Sequence, residues 1–165
     1  MYYFKHIFFL LFLTIPFSIT NAQIREFTHP EIISFEHSTD PVTAGKNSKV
    51  SLSNKHYKHL GHSLQWNWDK PNAQIFINQP IGYLSQNPNP KETSLSTFIF
   101  WIYNPKAFSS GKLKFEFLKQ GKVCSWFEYG MNFTGWSGAW LIFNRDMQGT
   151  PEEGMDELRI TAPNT

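Results

Sequence analysis

SWFEYGMNFTGWSGAWLIFNRDMQGTPEEGMDELRIT, residues 125–161, is the stretch that decides the fold. It sets Phe127, Phe133, Trp136 and Trp140 in short apolar runs, and glycines at 130, 135, 138, 149 and 154 interrupt it. Runs this short between glycine-containing turns read as strands buried on at least one face, because no 3.6-residue stripe survives such punctuation. Just upstream, residues 112–117 alternate: Leu113, Phe115 and Phe117 point inward, Lys114 and Glu116 outward. With the strand near 124–129 they flank Gln120-Gly121, which predicts a hairpin.

Further upstream, 63–69 alternates as well, with Leu64, Trp66 and Trp68 on one face and Gln65, Asn67 and Asp69 on the other. That predicts a half-buried antiparallel strand. Val50 and Leu52 share a face, and so do Ala73, Ile75 and Ile77, while 32–36 reads as a first strand. Residues 79–92, with Pro80, Gly82, Pro88 and Pro90, read as an exposed loop. The run 97–103 is apolar on both parities, which predicts a central strand with both faces covered and places Trp101 in the core. After the leader, no ten-residue stretch carries a capped helical stripe. About eight to ten short strands with turn signals give an all-β, two-sheet sandwich.

The chain has 165 residues, room for one domain with a real core. Aromatics at 17% favour strands, and a formal charge of +2 is too small for a nucleic-acid footprint. Residues 1–22 have a single cation, Lys5, then an apolar block broken at Pro16, then Thr20-Asn21-Ala22. This reads as a secretory signal peptide with the domain over 23–165, so the expected location is periplasmic or secreted, with no membrane association after cleavage. Cys124 is the only cysteine, which rules out an intrachain disulfide.

The run NFTGWSGAWLIFNRDMQGTPEEGMDELRITAP (132–163), with FEH at 35–37, HSLQWNWD at 62–69 and STFIFWIYNPK at 96–106 in the same order, resembles the N-terminal domain of bacterial chondroitin sulfate ABC lyases. The resemblance covers nearly all of the chain after residue 30. It implies a jelly roll of galactose-binding-like type and a role in glycosaminoglycan breakdown. The catalytic residues of that chemistry belong to a separate helical toroid, so no catalytic residue is carried over to this chain, which by itself is expected to be inactive. The implied partners are chondroitin or dermatan sulfate and a catalytic lyase domain; a stand-alone carbohydrate-binding module and a purely structural sandwich are the alternatives. A jelly roll of this kind is also expected to close with a strand beyond 164, whose loss would leave an unpaired edge.

Four groups of residues merit a chemical reading. His56, His59 and His62 recur at intervals of three, but zinc needs four ligands, or three plus water, with a supporting shell, and a solvated turn is the simpler reading. The resemblance instead implies a structural calcium or sodium ion held by main-chain oxygens at His59 and His62 together with Ser34 or Glu36; oxygen ligation suits such hard cations. Asp146, Glu152, Glu153, Asp156 and Glu157 read as a solvated acidic loop, with Arg145 capping a corner through Asp146. Among the tryptophans, Trp136, between Gly135 and Gly138, is the first candidate for contact with a sugar face and Trp126 the second.

Overall fold

A computed structural model describes residues 33–85 and 97–164. Ten antiparallel strands and a single helical turn make up its regular structure. The leader read at 1–22 and the strand expected beyond 164 lie outside the described residues. No helix among the described residues is long and apolar enough to cross a membrane.

One layer is a continuous six-stranded sheet in the order β1 (Val42–Ala44), β4 (Gln74–Asn78), β10 (Glu157–Thr161), β6 (Lys112–Lys119), β7 (Lys122–Gly130), β9 (Gln148–Gly149). The alternation read from the sequence sets its faces. Ile75, Ile77, Leu113, Phe115, Phe117 and Leu158 are buried, and each occupies an alternate position of its strand. β6 and β7 form the expected hairpin, closing at Lys119↔Lys122 with Gln120 and Gly121 both at positive φ, as a type I′ turn requires.

The second layer is two separate ribbons, β2 (Ser48–Ser53) with β3 (Ser63–Trp68), and β5 (Thr97–Asn104) with β8 (Gly135–Ile142). Side chains join the layers. Phe98 and Phe100 of β5 meet Phe117 and Phe115 of the large sheet with ring centroids 5.0 and 4.9 Å apart, and Phe115 stacks on Phe127 at 4.6 Å. Val50, Leu64 and Trp66 of the other ribbon pack against the same core, which gives the two-sheet sandwich the patterning predicts. All pairings are antiparallel, as a jelly roll uses.

Three expectations need correction. Residues 33–36 form no strand, because Phe35 takes φ 53 and turns the chain. Residues 79–85, the described part of the 79–92 stretch, are not simply exposed: Ile81 N–H donates to Met155 O, and Tyr83 is buried against Phe143 with its hydroxyl on Asn144. β5 is not covered on both faces: Phe98, Phe100 and Ile102 pack on the core, while Ile99 and Trp101 on the other face stay 44% and 47% exposed. Its outward side chains meet partners across the ribbon, Ile99 opposite Trp140 and Tyr103 opposite Trp136.

The outer face of the large sheet is polar. Glu116 accepts from Arg159 Nε at 2.8 Å and pairs with Lys114 Nζ at 2.7 Å, and Lys112 meets Glu128 at 2.8 Å. Burial pushes the Glu116 carboxyl up, but the hydrogen bonds from Arg159 and Lys114 outweigh it and hold the group below the usual carboxylate range. The acidic loop is used as a set of pegs. Glu153 accepts from Ser85 N–H and Oγ, Asp156 from Gln120 N–H, and Glu152 pairs with Lys119. At the corner, residues 143–146 form one helical turn in which Arg145 grips Asp146 with two 2.8 Å bonds while Asp146 accepts from Ile142 N–H. The Arg145 hydrogen bond, helped by that amide, lowers the Asp146 carboxyl to about 2.

Candidate functional site

With Phe98, Phe100 and Ile102 turned into the core, alternation forces Ile99, Trp101 and Tyr103 onto the outer face of β5. The register brings Trp140, Gly138 and Trp136 opposite them on β8. Gly138 is required there: a Cβ at this position would lie 2.8 Å from two carbons of the Trp101 indole, so only glycine lets that ring lie down on the strand. Trp101 meets Trp140 edge to face at 5.8 Å, and Tyr103 meets Trp136 at 5.5 Å. Trp140 is the most exposed of the tryptophans that stand out from the surface, at 58%.

The loop between β2 and β3, residues 54–62 (NKHYKHLGH), lies across this face. His56 stacks on Tyr103 with centroids 3.6 Å apart and planes 11° apart. The Lys58 ammonium sits 4.4 Å from the centre of the Trp101 ring and 5.5 Å from Trp136, a cation held over two aromatic faces. The loop is anchored from below. Glu36, buried, accepts from Gly61 and His62 N–H at 2.9 and 3.0 Å, and Ser63 Oγ donates to His56 O at 2.5 Å. Loop 54–62, β5 and β8 contain no acidic residue, and among the described residues Lys58 pairs with no carboxylate. The surface is therefore aromatic, basic and free of acids.

Of the residues singled out from the sequence, Trp136 belongs to this face and Trp126 does not. Trp126 is on the polar outer side of the large sheet, half-buried, opposite Glu116 in the register and beneath the Lys114 ammonium at 5.0 Å. Sequence reasoning missed Trp101, Trp140 and Lys58. The usable signal was a small residue, Gly138, two places from a tryptophan on either side, which marks a strand on which a neighbouring ring lies flat.

Ser34, Glu36, His59 and His62, named as oxygen ligands, fall on two adjacent segments joined by the Glu36 carboxylate. His62 Nδ1 stands 3.8 Å from Glu36 Oε2. Oε2 also accepts the two amide hydrogen bonds, whereas Oε1 is buried and has no hydrogen-bond partner among the described residues. That one anionic oxygen fits a hard cation, and among the described residues it is not joined by a cluster of further acidic or histidine side chains. Ser34 and Glu36 line a shallow cavity of about 280 Å³ whose walls are polar at Asp40 and Gln79 and apolar at Ile33, Phe35 and Pro41.

The model of the family described as "Lyase, N terminal" matches residues 29–165. A chondroitin sulfate ABC exolyase of Bacteroides thetaiotaomicron is 44% identical over 144 residues, 87% of this chain and 14% of that protein. The chondroitin sulfate ABC exolyase of Proteus vulgaris is 40% identical over 74% of this chain and 12% of its own length, and the endolyase of the same organism 25% identical over 74% and 12%. The chain thus spans about one-seventh or less of the length of the curated relatives it matches.

Proposed function

From the premise that this chain belongs to the family of lyase N-terminal domains, we propose that it is an exported, non-catalytic module of glycosaminoglycan breakdown that helps position chondroitin or dermatan sulfate for a catalytic lyase unit. The observation that carries the reading is the exposed aromatic face of β5–β8 with Lys58 held over it. A flat ring covers the apolar side of a pyranose, and a lysine beside it supplies the charge a sulfated chain requires. Packing of the same face on the catalytic unit is the second reading, favoured by the uncovered apolar surface of Ile99 and Trp140.

The expected result is that the purified chain is retarded in affinity gels containing chondroitin or dermatan sulfate and produces no sustained rise in unsaturated-uronate absorbance. Unretarded migration in both gels would exclude the positioning role, and steady product formation would exclude a non-catalytic one. We also propose the structural calcium or sodium ion implied at Ser34, Glu36, His59 and His62, with the buried, unpartnered Glu36 Oε1 as a side-chain ligand beside the main-chain oxygens first named. Calcium should then raise the melting temperature of the chain and leave that of Glu36→Gln unchanged; equal responses from the two proteins would dismiss the ion.

A further inference from the structure

We propose that an anionic pyranose chain docks on the outer face of β5–β8, with one sugar ring stacked on Trp140 and Ile99 and the neighbouring carboxylate or sulfate paired with Lys58. This rests on the positioning role above and specifies its site and its chemistry. Trp101 is already engaged on both sides, by Gly138 beneath and by the Lys58 ammonium above, so its task is to hold the lysine. Trp140 stands edge to face with it, more exposed than any other large apolar side chain of β5 and β8 and directly opposite Ile99.

Two steps, 4.4 Å from Nζ to the Trp101 ring and 5.8 Å from that ring to Trp140, separate the charge from the stacking surface. That separation lies within the span of a disaccharide, so a sugar on Trp140 brings its own acidic group, or that of the next residue, to Lys58. Charge complementarity selects the occupant. Two lysines and three histidines occupy loop 54–62, whereas the loop and both strands contain no acid to repel a polyanion. A second, independent feature holds the lysine-bearing loop in place: the buried Glu36 carboxylate fixes Gly61 and His62 from the inner side. Lys58 is thereby presented by an anchored loop, which lowers the ordering cost of pairing.

The test measures binding of the full chain to chondroitin sulfate oligosaccharides, to their desulfated counterparts and to a neutral cello-oligosaccharide at several salt concentrations. Trp140→Ala should weaken binding to the sulfated oligosaccharide at least tenfold. Lys58→Met should weaken it several-fold and flatten its salt dependence, because one fewer cation takes part. Trp126→Ala, on the opposite face, should bind as the parent does. Unchanged melting temperatures establish that the variants are folded, and if Trp140→Ala is not, Lys58→Met and Trp140→Phe decide the matter. Full affinity in both Trp140→Ala and Lys58→Met, or loss confined to Trp126→Ala, would overturn this site while leaving the positioning role intact. Equal affinity for the neutral glucan would overturn the anionic specificity. No binding by the parent chain to any of the three ligands would overturn the site and the positioning role together.

Discussion

Phe117→Ala should lower the unfolding free energy by about 3–5 kcal/mol, the range for truncating a large aromatic in a packed core. Phe117 is completely buried, edge-on to Phe98 at 5.0 Å and to Phe143 at 4.8 Å, so its removal opens a void where the large sheet, the β5–β8 ribbon and the helical corner meet. Domains hold only about 5–15 kcal/mol in total, so this one change takes a large share of the stability. Denaturant titration measures it, and a fall in the midpoint at unchanged slope reports stability alone. Lys49→Ala, at an exposed outward position of β2, should stay within about 0.5 kcal/mol of the parent. Comparable losses at Phe117 and Lys49 would mean that inward and outward faces are misassigned.

Gly149→Ala should be the second severe substitution. Gly149 has φ 86, and a Cβ there would overlap the carbonyl oxygen of Cys124. The φ alone costs about 1–3 kcal/mol for a residue with a side chain. Relief of the overlap must then move β9 away from β7, which breaks the Thr150 N–H to Cys124 O bond of 2.8 Å and the Ser125 Oγ to Gln148 O bond of 3.1 Å. Gly61→Ala is the matched control, since nothing lies within 4 Å of its Cβ position and its φ is ordinary. A melting temperature for Gly149→Ala equal to that of Gly61→Ala would refute the steric account.

The inward and outward faces of β6 were legible because Leu113, Phe115 and Phe117 alternate with lysine and glutamate, and a polar residue at every second place leaves one face for burial. The hairpin was legible because Gln120-Gly121 sits between two such runs. β5 was not, because an apolar run on both parities fits either a strand covered twice or a strand whose outer ring system is a surface in its own right. Only the register Trp101↔Gly138 separates the two, and cross-strand register is a tertiary property. Tyr83 was missed for the opposite reason: a lone aromatic among prolines and glycine reads as loop, and its burial depends on Phe143 and Asn144, sixty residues away in sequence. Lys114 was read only as pointing outward, yet its ammonium joins Glu116 and covers Trp126, a contact that depends on a cross-strand neighbour and not on local pattern. Trp136 was found through its flanking glycines, whereas Lys58 gave no local signal, since a lysine among histidines in a turn looks like any solvated loop.

The position of β10 in the large sheet bears on how the domain acquires its structure. β10 comes latest in sequence among the described strands and lies between β4 and β6, with Leu158 opposite Ile77 on one side and Phe117 on the other. Until residues 157–161 are made, the six-stranded order can be no more than two parts, β1–β4 and β6–β7–β9, each with an open edge. Neither half has the shared row of Leu158 and Ile160 to pack on. Closure joins strands about eighty residues apart in sequence, a long-range step of the kind that slows β-sandwiches to milliseconds or seconds. Closure of the sheet therefore waits for β10, and until then two unpaired edges are exposed to other chains, a burden that falls on whatever escorts the chain during synthesis.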